Sequence, residues 1–526
     1  MGKMDRRMQI SHFTKAIPVS IFLLVASFSP VKADNNEEAN RLFVAAVKAW
    51  SEVHQTSGNS LEDVERRFFL LDETANNLNR IVSDYPGADL AVKLVIGEEI
   101  GPLSLSQVRE GRDDAAKEVA RALSNCSIPT ECIIGHAHET ARRIDNESQR
   151  ARALAEIALT VVNERMLDEA LDSTSSTDGF FGRDSLLQSF AYAQIELGNF
   201  SGAQITVLEI GDLERRGYVY NRLVSGLAKS GQISVAQEIA QGRIDAHYDL
   251  DGMLESIAIA QAMEGLTSDS LSTLSGMLYD FSRDRALKEI SILQAKAGLR
   301  TDAMNTIRII QSPGHLVEAL ARVAVAIDES SLFASALEIA NGIDDEHARD
   351  VALQEISAAQ ADAGLFEEAM RTPGGIRNRA WRDNAFERVA VAQAKAGLFS
   401  DSLDTLRRIE DSYSLDEALV QITGLLAEAG RYSEAHELVR NIKEEWNRED
   451  AVEAIAASQA KSGYFDEALE IAHNPDGPIF LGAFREVVKA QAEAGLLRQS
   501  IDTAMELENA NHRISMLVSI SESLSK

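Results

Sequence analysis

The sequence predicts an all-α protein: a right-handed α-solenoid (superhelix) of about eleven 33-residue helical hairpins behind a helical N-terminal domain. Three observations carry that expectation. First, the stretch VAVAQAKAGLFSDSLDTLRRI at 389–409 joins an apolar, alanine-rich helix, a glycine stop, a short turn and a second amphipathic helix, and it recurs. Its glycine returns as Gly198, Gly231, Gly265, Gly298, Gly364, Gly397, Gly430, Gly463 and Gly495. The steps are 33 residues apart from one of 34 and one of 32; Ser331 fills the single gap, and Arg165 extends the frame one unit earlier. A fixed period of this size marks a stacked-repeat architecture. Second, aromatic residues are scarce at 6%, while alanine and leucine are plentiful, which suits close helix–helix packing. Third, 526 residues are too many for one compact core.

Taken in order, residues 1–33 have the pattern of an export signal peptide. Arg6, Arg7 and Lys15 precede an apolar run over 17–28, and Val31-Lys32-Ala33 suits cleavage before Asp34. The apolar run is about a dozen residues against the roughly 20 of a membrane span. An uncleaved anchor is the alternative reading, and no second stretch is long enough to span. Residues 34–132 form a divergent helical N-terminal domain, with helices expected over 37–54, 61–84 and from 90, and a fourth capped by Ser104 or Ser106. The pair Cys126 and Cys132, in NCSIPTEC, would meet an oxidising compartment after export and form a short-loop disulfide. A buried thiol at Cys132 beside an unpaired Cys126 is the other possibility. Residues 133–510 carry the repeats, and 511–526 is a serine-rich C-terminal capping helix covering the last apolar face.

The residues around each glycine explain the turn. Glycine adopts the left-handed conformation that ends the first helix (helix A). Three residues on, Ser201, Ser234, Ser268, Thr301, Ser400, Ser433 or Asp466 is expected to cap the second helix (helix B). Five residues on, the side chain is always small, from Ala203 to Ser500, so helix B presses on helix A there. Two residues on, an aromatic recurs at Phe200, Phe333, Phe366, Phe399, Tyr432 and Phe465.

Glycine, then an aromatic, then alanine at this spacing resembles the tetratricopeptide repeat over roughly 133–526. The period is 33 rather than 34. A glutamine replaces the tyrosine four residues before the glycine, at Gln194, Gln261, Gln294, Gln360, Gln393, Gln459 and Gln491, and the proline that ends a unit is missing. The chain is therefore tetratricopeptide-like, of an exported bacterial type. The resemblance implies peptide binding on a concave face lined by helix A. The positions ten and two residues before the glycine would face that groove: Gln354, Glu387 and Glu453, with Lys296, Asp362, Lys395, Glu428 and Lys461. A solvated face is the plainer reading of them. Their signs alternate, and no Lys/Asn/Arg cluster forms a carboxylate clamp. Trp381 and Trp446, at the corners between units, are candidate anchors or simple corner staples. The glutamine column reads as structural, its amides bonded to neighbouring units or backbone.

No catalytic signature is present. Gly226 and Gly231 have P-loop spacing, but Gln232-Ile233 stands where Lys-Ser/Thr would hold phosphate. His136 and His138 lie two apart, which does not put them on one helix face for a metal. The reading is of a non-catalytic module without cofactor or metal, binding a protein or extended peptide in the periplasm. The formal charge of −30 argues against nucleic acid and anionic membrane surfaces. The alternatives are an accessory subunit that positions an envelope enzyme or export complex and, more remotely, a cell-wall hydrolase with its site in 34–150. Oligomeric state and partner identity are not written in the sequence.

Overall fold

A computed structural model describes residues 33–525 apart from 57, 99, 101–102, 173–181, 243–249 and 474–478. The expected signal peptide therefore lies outside the described residues except for Ala33. Everything described is helix and connection, apart from an isolated bridge between Ile100 and Leu103. The chain is an all-α repeat solenoid, and it divides into two compact units.

The first unit holds the described residues up to His136 together with Leu497–Glu508. Its helices are Ala33–Val53, Leu61–Asp84, Asp89–Val95, Leu105–Ser124 and the start of Pro129–Arg142, joined by Leu497–Met505 from near the other end of the chain. Ser60 and Asp63 form a reciprocal capping box that starts Leu61–Asp84. Ser104, rather than Ser106, accepts the amide of Gln107 and starts Leu105–Ser124. A buried pair fixes the late-arriving segment: the Arg112 guanidinium donates to Asp72 at 2.7 Å and to the Leu507 carbonyl at 3.2 Å. Cys126 and Cys132 are joined as a disulfide with Cα atoms 6.5 Å apart. The boundary differs from the one expected at 132/133, and nothing in the repeat pattern announces that Leu497–Met505 belongs here.

The second unit, Ala137–Leu496 with Asn509–Lys526, contains the repeats. Among the described residues twelve A helices run from Glu147–Val161 to Ala510–Leu524. Each packs on the A helices before and after it, and the B helices pack on their own A helix, most of them leaning on the next as well. The turn chemistry is the expected one. The nine marked glycines have φ between 73° and 85°, and in the unit of Gly397 the amides of Gly397 and Leu398 bond back to Ala394 and Gln393, closing the last turn of helix A. The small side chains five residues on are buried in every unit.

Three expectations are corrected. The B helices begin two residues after the glycine, as in Phe399–Leu406 and Arg300–Ile307, with Leu398 and Leu299 at the N-cap. Ser400 and Thr301 thus lie inside the first turn rather than capping it. Ser331 does not take the place of the glycine: Asp328 does, with φ 53°, because helix A stops early at Ala326 and helix B starts at Ser331. Aspartate is one of the few residues that tolerates this conformation. Arg165 is displaced in the same way by Val162, with φ 45°. Finally, the C-terminal helix is no cap over a free end. Ala510–Leu524 packs between Leu481–Glu493 on one side and Glu147–Val161 on the other, so the A helices form a closed circuit. Ser519 and Ser523 are buried in it with their hydroxyls bonded to the carbonyls of Ser515 and Ser519.

Candidate functional site

The residues that hold the repeats together must be separated from those left over for a ligand. Fourteen residues before the glycine stands an aspartate in six units: Asp184, Asp251, Asp284, Asp350, Asp383 and Asp416. All but the half-buried Asp184 are buried. Each carboxylate accepts amides at the start of the following A helix. Asp350 takes Arg377 at 3.1 Å and Asn378 at 2.8 Å, on separate oxygens. Asp416 takes Lys443 at 3.0 Å and Glu444 at 2.9 Å, both on Oδ2. These are amides that no helix supplies with an intrahelical acceptor, so the aspartate welds one unit to the next. The column was visible in the sequence, but its partners are backbone groups, which leave no sequence trace.

The glutamine column is structural, with a different partner from the one expected. Gln194, Gln261, Gln294, Gln360 and Gln393 accept the hydroxyls of Thr206, Thr273, Thr306, Thr372 and Thr405, twelve residues on, at 2.7–2.8 Å. The bond ties helix B to helix A within one unit rather than to its neighbours.

The candidate groove residues fall into two sets. Lys296, Asp362, Lys395, Glu428 and Lys461, two before the glycine, are exposed at the ends of the A helices. Asp362 is paired with Arg322 at 2.7 Å. Gln354 and Glu387 are buried and Glu453 half-buried, because ten before the glycine a side chain points into the seam between adjacent A helices. That seam is a ladder of paired residues thirty apart. Glu255 meets Arg285 at 2.5 Å, Lys288 meets Glu318 at 2.9 Å, and the Gln354 amide donates to Asn384 at 2.5 Å. Burial works against the Lys288 ammonium, but Glu318 holds its pKa above the ordinary value. Beside the ladder, Glu355 accepts from Arg322 and Arg388; burial alone would raise its carboxyl, and the two arginines hold it below the usual range. Burial, then the nearby Glu417, pushes Glu387 up to about 7. Burial and Glu486 raise Glu453.

The corner aromatics stand at the N-terminal ends of the A helices and meet across the seams. Phe281 contacts His315 at 4.7 Å between ring centroids, His347 meets Trp381 at 5.3 Å, and Tyr413 meets Trp446 at 6.2 Å. Trp381 is half-buried against the apolar core, as a staple would be. Trp446 remains 47% exposed and Tyr413 58%. His136 and His138 part company: His136 bonds Glu65 at 2.8 Å and His138 bonds Glu169 at 2.8 Å. No group of three or more potential ligands among the described residues is placed to hold a metal, and no described helix is long and apolar enough to cross a membrane.

No family model and no curated protein matches the chain. Solved structures similar to it include a pentatricopeptide repeat protein, PPR10, in complex with an 18-nt psaJ RNA element. It is 12% identical, with 92% of this chain and 87% of that one covered and a TM-score of 0.31. Ton1535 from Thermococcus onnurineus NA1 is 17% identical over 57% of this chain and 98% of its own, with a TM-score of 0.23. A circular tandem repeat protein is 13% identical over 93% and 90%, with a TM-score of 0.11. At these scores the likeness carries no argument about function. The class of the chain, a helical-repeat solenoid, rests on its own helices and period.

Proposed function

We propose that the chain is a non-catalytic scaffold that holds a protein or extended peptide on its A-helix face, and that it works in the cell envelope after export. One observation carries the reading. The framework positions recur and bond to groups of the repeats themselves, whereas the exposed column two before the glycine changes sign from unit to unit: Asp362, Lys395, Glu428, Lys461. A constant interior that displays a variable column is the arrangement by which repeat proteins present extended binding surfaces. A protein partner is favoured over RNA because a charge of −30 opposes a phosphate backbone. The envelope location is supported by the basic and apolar pattern of 1–33. Photo-crosslinking in cells from positions 395 and 428 tests the reading. It predicts adducts with a distinct protein in the envelope fraction; crosslinks only between copies of this chain would replace it with a structural homo-oligomer.

A further inference from the structure

The ladder of seam residues has one rung that does not match. Where the rungs are charged, the structure pairs opposite signs, Glu255 with Arg285 and Lys288 with Glu318. The equivalent rung between Arg379–Lys395 and Ser412–Glu428 sets Glu387 against Glu417. Glu387 is only 8% exposed, and the like charge of Glu417 helps to push its carboxyl up to about 7. The neighbouring cation, Arg388, is engaged by Glu355 on the other side. The groups around the rung are acceptors in excess. Asn384 donates to Glu387 at 3.3 Å and accepts the Gln354 amide, while Gln354 Oε1, on a side chain 6% exposed, has no donor. The charge of Glu417 holds the Tyr413 hydroxyl above its ordinary pKa. Tyr413, one turn before Glu417, is exposed and meets the exposed ring of Trp446 on the next A helix at 6.2 Å.

We propose that this rung seats a cationic side chain, arginine or lysine, from a basic segment of a partner protein. The inference rests on the scaffold reading above and names the chemistry of its partner. A guanidinium or ammonium group supplies what the rung lacks: a positive charge between two carboxylates, and donors for an acceptor-rich seam. Tyr413 and Trp446 offer ring faces to the same cation or to its aliphatic stem. The acidity of the whole chain draws a basic segment in, and the rung fixes where it stops.

The test is calorimetric titration of the full chain with a twelve-residue peptide of alternating arginine and alanine, at pH 8 and moderate salt, with a glutamate–alanine peptide as control. Binding of the arginine peptide is expected, weakened at least tenfold in the double variant Glu387→Gln, Glu417→Gln and several-fold in Trp446→Ala. A second double variant, Glu367→Gln, Glu368→Gln, removes the same charge from an exposed B helix and should leave affinity within twofold. Equal weakening by both double variants would reduce the effect to general charge and overturn the site. Failure of the wild-type chain to bind the peptide also overturns it. The scaffold reading survives either result if crosslinks from positions 395 and 428 still reach a distinct protein, and falls separately if they do not.

Discussion

The aspartate weld makes a prediction in which two residues of one column respond differently to one substitution. Asp350 spends both carboxylate oxygens, one on Arg377 and one on Asn378. Asp416 spends only Oδ2, and its Oδ1 is buried without a donor. In Asp416→Asn the amide oxygen can keep both bonds and the new NH2 can fill the idle position. The loss is then the charge assistance and the cost of burying an NH2 without an acceptor, a cost that Asp350→Asn shares, offset in both by easier burial of a neutral group. In Asp350→Asn one amide of the next unit loses its acceptor and faces an NH2 instead. An unsatisfied buried donor costs about 1–3 kcal/mol, so Asp350→Asn should be less stable than Asp416→Asn by about 2 kcal/mol. Equilibrium urea denaturation, followed by far-UV circular dichroism, measures both variants against wild type. If Asp416→Asn cost as much as Asp350→Asn, the count of bonds per oxygen would not govern the joint, and the weld would have to be explained by charge alone.

Other expectations follow from the same contacts. Glu387 has a folded pKa of about 7 against an ordinary 4.5, so the native state holds its proton more tightly than the unfolded chain. Stability is therefore present below pH 4.5 and is lost as pH rises towards and through 7, by roughly 3 kcal/mol in all. Glu387→Gln should match wild type at pH 4.5 and exceed it at pH 8 in denaturant titrations; an unchanged difference between the two pH values would contradict the assignment. Reducing the Cys126–Cys132 bond, which closes a loop of sequence separation 6, should destabilise the first unit by about 2 kcal/mol. Hydrogen exchange should then quicken in Leu105–Ser124 and not in Arg379–Lys395. Deleting 510–526 uncovers the apolar faces of Glu147–Val161 and Leu481–Glu493 together, so light scattering should show self-association. A truncated chain that stayed monomeric and melted like wild type would refute the closed circuit.

Much of the fold was written in the sequence because its determinants are local. A glycine at one position of most units, an aromatic two later in many and a small side chain five later each act within one hairpin, and a fixed period repeats them. What escaped reading depends on partners that the pattern does not name. Asp350 acts on amides, Ser519 and Ser523 look solvent-facing until their bonds to preceding carbonyls are seen, and the turn at Asp328 works without glycine. The candidate groove was half legible. The exposed column of Lys395 and Glu428 follows from helix periodicity, but the burial of Gln354 and Glu387 depends on how one A helix meets the next.

The closed circuit of A helices sets a constraint on how this chain can vary and how it can fold. An open array can gain or lose a unit at little cost, since each unit meets only its neighbours. Here a duplicated or deleted hairpin would leave Ala510–Leu524 out of step with Glu147–Val161, so unit number is as fixed as a core residue. Closure also joins groups such as Thr160 and Glu522, 362 positions apart. For a flexible chain that length alone would cost about 5 kcal/mol. Most of this falls away once the intervening units have stacked, which makes the meeting of the two ends the natural last event of folding.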